Sequence, residues 1–277
     1  MSDVATQVIA SRPPPPGVVR KWTVTRLVGY VLCAFWVLIV IATAWSLYSA
    51  FDREIFERYM PRMFDGLLIT LYLVFVSILV GGVLAIPVAL ARLSENVLIG
   101  KIAFGYVYFF RGTPLLGQMF LMYYGAGEFS SQLESAGLWW FFREAYNCVL
   151  LTFILNTTAY QAEIYKTAIE SIPRGQSEAA ETLGLKKALT FRKIIMPQAL
   201  ITALRPLGNE IIFMIKGSAV ASLVTVFDLM GATRQAFSRT FDFNVYIWAA
   251  IIYFILVEIL RRTWNYIEAR LTRHLVR

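Results

Sequence analysis

Histidine is nearly missing from this chain, and cysteine is scarce. The single histidine, His274, cannot build a metal site. The two cysteines, Cys33 and Cys148, both lie in apolar runs, which argues against a disulfide framework or a thiolate metal cluster. The chain has no Gly-x4-Gly-Lys-Ser/Thr phosphate loop, so it does not hydrolyse nucleotide through one. No Ser/His/Asp, Cys/His or paired-carboxylate arrangement stands out either. What is abundant is apolar side chain. Hydrophobic residues make up 58% of the chain, where a soluble domain has roughly 45–50%, and the mean hydropathy is +0.60. Apolar runs recur with short gaps from 28 to 260. The chain therefore reads as one all-α integral membrane domain with a tail. The net charge of +8 fits basic loops beside anionic lipid and does not call for nucleic acid.

In chain order, residues 1–27 are polar, with a polyproline stretch from Pro13 to Pro16 and the basic residues Arg12, Arg20, Lys21 and Arg26. They are expected to form a disordered tail at the membrane surface. Residues 28–48 are long enough to span a bilayer, with Trp22 and Trp45 near the two interfaces. A rival reading is a cleaved signal peptide, because Ala42-Thr43-Ala44 resembles a cleavage site; the long basic lead-in and the continuing apolar run speak against it. Residues 51–65 are a charged connection, and 67–91 an uncharged second span. In that span Gly81-Gly82 permits close helix approach, and Pro87 permits a kink. Residues 102–127 contain Arg111-Gly112-Thr113-Pro114, which predicts a helix capped by Thr113 and starting at Pro114. Neither half crosses alone, and broken helices in membranes line cavities or pack on protein. Residues 126–144 and 227–244 read as loops, 200–226 and 245–260 as further spans, the last one short and expected to be extended by flanking residues. Glu258 is placed to pair with Arg261 and Arg262.

One polar stretch interrupts this pattern, from Tyr160 to Pro197. Pro173 and Gly175 are expected to stop the incoming helix. Ser177 reads as an N-cap, with Glu178 and Glu181 in the first turn. Gly184 ends that short helix, and Thr190 caps another that runs toward Pro197. Ala179, Ala180, Leu183 and Leu185 have no obvious core of their own, so a partner is expected to cover them. Glu178-Ala179-Ala180, Gly184 and Ile194-Ile195-Met196-Pro197 resemble the EAA loop of ABC importer permeases, with Met196 a mild departure from the usual Ile-x-Leu-Pro ending. The resemblance runs from residue 64 to the C-terminus. Arg111-Gly112-Thr113-Pro114 followed by Gln118 is similar to the polar amino acid branch, the histidine, lysine, arginine, ornithine and opine M-type permeases.

This resemblance implies a type I importer permease fold of about six transmembrane helices with a cytoplasmic coupling helix. It implies a permease domain over 64–265 with the coupling loop at 171–197, an extra helix at 28–50 and a basic tail at 266–277. It makes Glu178, Ala179, Ala180, Leu183, Gly184, Leu185 and Pro197 the ATPase-coupling residues. The implied partners are an ABC ATPase dimer that binds ATP and Mg, and an extracytoplasmic substrate-binding protein. A second permease subunit, homologous or identical, is implied as well. The chain itself then carries no cofactor, contacts lipid, and sits in a bacterial inner membrane.

Charge bias gives an orientation. Four loops and tails on one side carry seventeen Lys and Arg, and the three opposite loops carry six. Six spans with both termini cytoplasmic satisfy the positive-inside rule.

Inside the membrane, Thr152, Asn156, Tyr160, Glu163 and Thr167 recur at spacings of four, four, three and four, which puts them on one helix face. That face either lines a path or makes helix–helix and interfacial contacts, with Glu163 beside Lys166. Asn209, Phe213 and Lys216 share a face on the later span, with Glu210 beside it. Lys216 is followed by Gly217 where the family often has a carboxylate, so a charge pair there is in doubt. Arg111 is expected to need a partner. Asn156, Tyr160, Glu163, Asn209 and Lys216 are the candidate path residues, and a carboxylate at Glu163 favours a basic amino acid or an opine. The function these residues suggest is an ATP-driven importer permease. An ion-driven secondary transporter also explains the stripe and the broken helix, but not the Glu-Ala-Ala…Gly…Pro loop. A membrane scaffold would leave the stripe as packing.

Overall fold

The computed structural model describes residues 23–49 and 51–273. The polyproline stretch, Trp22, His274 and Arg277 lie outside the described residues. The chain divides into two units, 1–51 and 52–277.

The described part of the first unit is a single helix, α1 (Val24–Ser49). None of its side chains is buried within the unit. A helix apolar on all sides is a membrane span or a buried core element.

The second unit is built from helices throughout. α2 (Arg53–Arg92) has 40 residues. The expected charged connection at 51–65 is its first turns, because Asp52 caps the helix early, accepting from the amides of Glu54 at 2.9 Å and Ile55 at 3.1 Å. Pro61 and Pro87 both lie inside it. After a short turn come α3 (Val97–Gly112) and α4 (Leu115–Glu128), then the small helices α5 (Ser130–Ser135) and α6 (Trp139–Phe142). α7 (Ala145–Glu170) returns across the unit, followed by α8 (Arg174–Thr182) and α9 (Lys187–Thr190). A π-helical turn, Phe191–Ile195, joins α9 to α10 (Met196–Ser218) without a break. A 3-10 turn, α11 (Leu229–Thr240) and α12 (Asn244–Leu271) complete the chain. Among the described residues, four segments are long and apolar enough to cross a membrane: α1, α2, Lys187–Val224 and α12. α3 and α4, of 16 and 14 residues, are each too short to cross alone. α7 has 26 residues, about 39 Å at 1.5 Å per residue.

Two expectations fail here. The segment 227–244 is not a loop. Asp228 accepts from the Gly231 amide at 2.8 Å and starts α11. Nor is 126–144 a plain loop, since α4 runs to Glu128 and α5 and α6 follow. The last span is extended past 260, as expected: α12 runs on to Leu271, with Glu258 paired to Arg261 at 2.8 Å and to Arg262 at 2.6 Å.

Packing centres on α2 against α7. Lipid is as apolar as leucine, so helix association inside a membrane depends on close fit more than on hydrophobic burial. The inner face of α2 carries Gly66, Thr70, Ser77, Gly81, Ala85 and Ala89, small residues spaced four or seven apart. A Cβ on Gly81 would stand 2.8 Å from Thr157 Cγ2, so α7 approaches as closely there as the glycine pair suggested. Large side chains on the other face of α2, such as Leu68, Phe75 and Val83, stay exposed toward lipid. Between α2, α4, α7 and α10 lies a core of Leu73, Met119, Val149, Phe153, Met214 and Ile215. α12 is tied to α10 by Trp264, whose Nε1 donates to the Leu204 carbonyl at 2.8 Å and whose indole occupies the space a Cβ on Gly208 would need. Arg205 adds an ion pair to Glu268 at 3.0 Å.

Candidate functional site

The break between α3 and α4 builds the wall of a cavity. Thr113 does not start the second helix; it ends the first. Its hydroxyl donates back to the Phe109 carbonyl at 2.7 Å, and Pro114, at φ −63° and ψ 135°, is the last extended residue before α4. The break frees carbonyls that a membrane interior cannot hydrate. Gln118 supplies the missing donors: its Nε2 reaches Phe110 O at 2.8 Å and Thr113 O at 3.0 Å. Asn156, from α7, donates to Gln118 Oε1 at 2.9 Å and to Phe110 O at 3.1 Å. Both Nδ2 hydrogens are thus spent on stitching the break, and Asn156 Oδ1 is left without a bond. Tyr106 adds a second tie from α3 to α7, donating to Leu155 O at 2.6 Å.

The cavity beside this break has a volume of about 270 Å³ and is lined by Thr113, Leu115, Asn156, Tyr160, Glu210, Phe213 and Met214. It brings the α7 stripe together with α10 through Glu210, Phe213 and Met214. Of the α10 face expected from the sequence, Phe213 lines the cavity, while Asn209 and Lys216 are exposed and do not. Gly217 packs instead near Leu115, with 3.2 Å between a built Cβ and Leu115 Cδ2. Glu210 is 7% exposed and lines the cavity with no hydrogen bond or ion pair of its own. The signal for it was in the spacing: Ala199, Ala203, Glu210, Met214 and Ser218 fall four, seven, four and four apart and are all buried. An acidic residue in register with that run points inward.

Glu163 has a different neighbourhood from the one expected. Lys166 is taken by Glu170 at 2.7 Å, one helical turn on. Glu163 Oε2 instead meets two guanidiniums, Arg92 from the end of α2 at 3.3 Å and Arg111 from the end of α3 at 3.6 Å. Arg92 lies over the Phe104 ring at 5.0 Å, and Arg111 over the Tyr160 ring at 5.3 Å. A carboxylate held by two cations is a poor receptor for a third.

The polar stretch after α7 also differs from its sequence reading. α8 begins at Arg174, directly after Pro173, so Gly175 and Ser177 are inside the helix and Ser177 caps nothing. A proline just before the first helical residue costs no intrahelical bond, which lets the helix start four residues earlier. Its end is as read. Gly184 adopts φ +71°, with its amide bonded to Glu181 O at 2.9 Å and the Leu185 amide to Ala180 O at 3.0 Å. These paired bonds are the Schellman arrangement, which requires a left-handed residue at that position. Thr190 is no cap either, because α9 already begins at Lys187. Pro197 lacks the amide that would bond Lys193 O, and the preceding turn widens to π geometry, with the Met196 amide bonded to Phe191 O. Of the four apolar residues thought to need a partner, Ala180 is covered by its own chain at 1% exposure and Leu185 is half-buried. Ala179 and Leu183, four apart, remain exposed on one face with Glu178, Leu183 at 78%.

Comparison with known proteins agrees with this architecture. The family described as binding-protein-dependent transport system inner membrane component matches residues 77–273. The nopaline transport system permease protein NocM of Agrobacterium fabrum is 40% identical over 81% of this chain and 93% of its own length. The histidine/lysine/arginine/ornithine transport system permease protein HisM of Escherichia coli K12 is 37% identical over 76% of this chain and 89% of its own. Among solved structures, an amino acid ABC transporter crystallised with histidines superposes with a TM-score of 0.71 at 33% identity, over 80% of this chain and 99% of that one. Helical spans, motif and relatives lead to one assignment: the chain belongs to the family of binding-protein-dependent transport system inner membrane components, and is the multi-pass permease subunit of an ABC importer.

Proposed function

We propose that this permease moves a polar amino acid or opine carrying a positive charge, and that Glu210 receives that charge. The observation that carries the reading is a carboxylate, 7% exposed, that lines a cavity and makes no hydrogen bond or ion pair. A buried charge is costly unless something compensates it, and a cationic substrate does so. The names of the relatives support the class, since nopaline, octopine, and histidine, lysine, arginine and ornithine all appear in them. Asn156 Oδ1 and the Tyr160 hydroxyl offer further polar contacts. The test is uptake of labelled arginine or histidine by proteoliposomes holding the full complex. Glu210→Gln is expected to lower uptake about tenfold or more, the cost of removing one member of a desolvated charge pair. Wild-type uptake with this variant would remove Glu210 from the path.

On the coupling side, α8 and the turn through Leu185 form the helix that sits on a partner ATPase, which binds ATP and Mg. The exposed row of Glu178, Ala179 and Leu183 is its contact face, and Pro197 sets the start of α10 behind it. ATP binding closes the ATPase pair and draws two such helices together, one from this chain and one from a second permease subunit. The path then opens outward, and hydrolysis resets it. A binding protein outside delivers substrate. The α3–α4 pair and α7 complete six crossings with α1, α2, α10 and α12. Both termini and α8 lie on the cytoplasmic side, as the distribution of basic residues requires. Here α1 is an accessory element. Deleting residues 1–50 should lower the amount of assembled complex while uptake per assembled complex stays within about twofold. A large loss per complex, measured against ATPase content, would place α1 in the transport path.

A further inference from the structure

Arg111 is under-committed. It stands half-exposed at the end of α3, with its side chain 42% accessible. It touches Glu163 Oε2 at 3.6 Å and lies over the Tyr160 ring at 5.3 Å, and none of its N–H groups makes a hydrogen bond. A guanidinium presents five donors in a planar fork suited to a carboxylate. Glu163 cannot satisfy it, because the same oxygen is shared with Arg92 at 3.3 Å. Two cations on one carboxylate leave one positive charge over. Arg92 is not the free one: its side chain is 10% exposed and covered by Phe104. Lys166 is bound to Glu170. The surplus charge therefore belongs to Arg111, whose stacking partner, Tyr160, lines the cavity.

We propose that Arg111 takes the carboxylate of the transported molecule, and that Arg111 and Glu210 together select a zwitterion over a simple amine. The assignment rests on the cavity reading above. Two guanidiniums and two carboxylates balance in the empty site. A basic amino acid places one cationic group on Glu210 and its carboxylate on Arg111, and adds one net positive charge. Its decarboxylated analogue adds two and leaves the Arg111 fork unused. Glu163 and Arg92 are positioning residues: they fix the end of α3 against α2 and α7, so that the fork stays at the cavity edge while Tyr160 supports its plane.

The experiment uses the full-length permease assembled with its ATPase and second permease subunit in detergent, without the binding protein, so that selectivity belongs to the membrane complex. Equilibrium binding is measured for labelled arginine and for agmatine, its decarboxylated analogue. Wild-type complex should bind arginine about tenfold or more tightly than agmatine, the worth of one charge-assisted bidentate contact. Arg111→Gln should bring the two affinities within about twofold by weakening arginine alone. Arg111→Lys, which keeps the charge and loses the fork, should give an intermediate ratio, and it serves as the test if Arg111→Gln does not assemble. An unchanged arginine-to-agmatine ratio in the variant that assembles overturns the proposal. Glu210→Gln separates this from the cavity reading, since it should weaken both probes alike. If wild-type complex binds neither probe, the cavity reading fails and the Arg111 assignment fails with it.

Discussion

Gly184→Asp is expected to leave the permease in the membrane and abolish uptake. The position has a backbone requirement that is independent of space. Its φ is +71°, and a Cβ built there meets nothing within 4 Å. The cost of a side chain is therefore conformational, about 1–2 kcal/mol for a left-handed residue. If the turn gives way, the Gly184 and Leu185 amides lose Glu181 O and Ala180 O, and α8 loses its end. Nine residues do not hold a helix in water without such caps. Aspartate also places a carboxylate beside Leu183, on the face assigned to the ATPase, where desolvation adds several kcal/mol more. A combined loss of about 3 kcal/mol or more weakens ATPase attachment at least roughly a hundredfold. Gly184→Asn separates the two causes, because asparagine tolerates the left-handed region and carries no charge. It should retain a large part of the uptake. Membrane amount by immunoblot, ATPase retained on purification and uptake are the three readouts. Normal uptake by a well-expressed Gly184→Asp protein would show that α8 is not the coupling element.

Local chemistry made much of this legible in advance. A φ-positive glycine, a proline at 197 and a Thr-Pro break each act within a few residues, and each marks a real discontinuity in the chain. The direction of each effect was harder to read. Thr113 was taken for a cap, and it closes the helix before it. Ser177 has the chemistry of a cap, but Pro173 starts the helix upstream and leaves Ser177 in its middle. Capping residues compete along the sequence, and the first adequate start wins. The same holds at Asp52 and Asp228, whose carboxylates begin α2 and α11 inside segments that hydropathy alone marks as connections.

The site was legible on one helix and not on the other. The stripe on α7 carries four polar residues besides Asn156, and helical spacing alone aligns them. Between Leu207 and Gly217 of α10 only Asn209, Glu210 and Lys216 are polar, and adjacent positions 209 and 210 differ by about 100° around the axis. The choice between them needed the buried small residues at 199 and 203, whose face includes 210. The partners of Glu163 were beyond sequence reasoning. Arg92 and Arg111 come from the far ends of two other helices, and nothing local to α7 announces them. Ion pairs across elements depend on how the elements dock, and docking is set by close fit between small residues spread over 40 positions of α2.

That close fit makes Gly66→Val a substitution with a large expected effect on stability. Gly66 was not singled out by any pattern, since no second glycine stands beside it. A Cβ there would lie 2.6 Å from the Asp228 carbonyl oxygen and 2.8 Å from its carbon. Both are backbone atoms at the start of α11 and have no rotamer to move into. The backbone is held from both sides. The Leu229 amide donates to Thr70 Oγ1 at 3.1 Å, and Thr70 donates in turn to Gly66 O at 3.2 Å. The Asp228 side chain is fully buried, and burial pushes its carboxyl up to about 6 even though it accepts the Gly231 amide, so it is already costly to keep charged. Relieving the clash means sliding α11 off α2, which breaks the Thr70 bond and uncovers Asp228 and Leu229 together. Overpacking of this kind costs about 1–3 kcal/mol where side chains can yield and more against fixed backbone. Gly66→Val should therefore fail to accumulate, or unfold at a markedly lower temperature in detergent. Gly105→Val is the control: it too lies inside a helix, but a Cβ there meets nothing within 4 Å. Its melting temperature should stay close to wild type. Equal behaviour of the two variants would mean that α2 and α11 are not in backbone contact at Gly66.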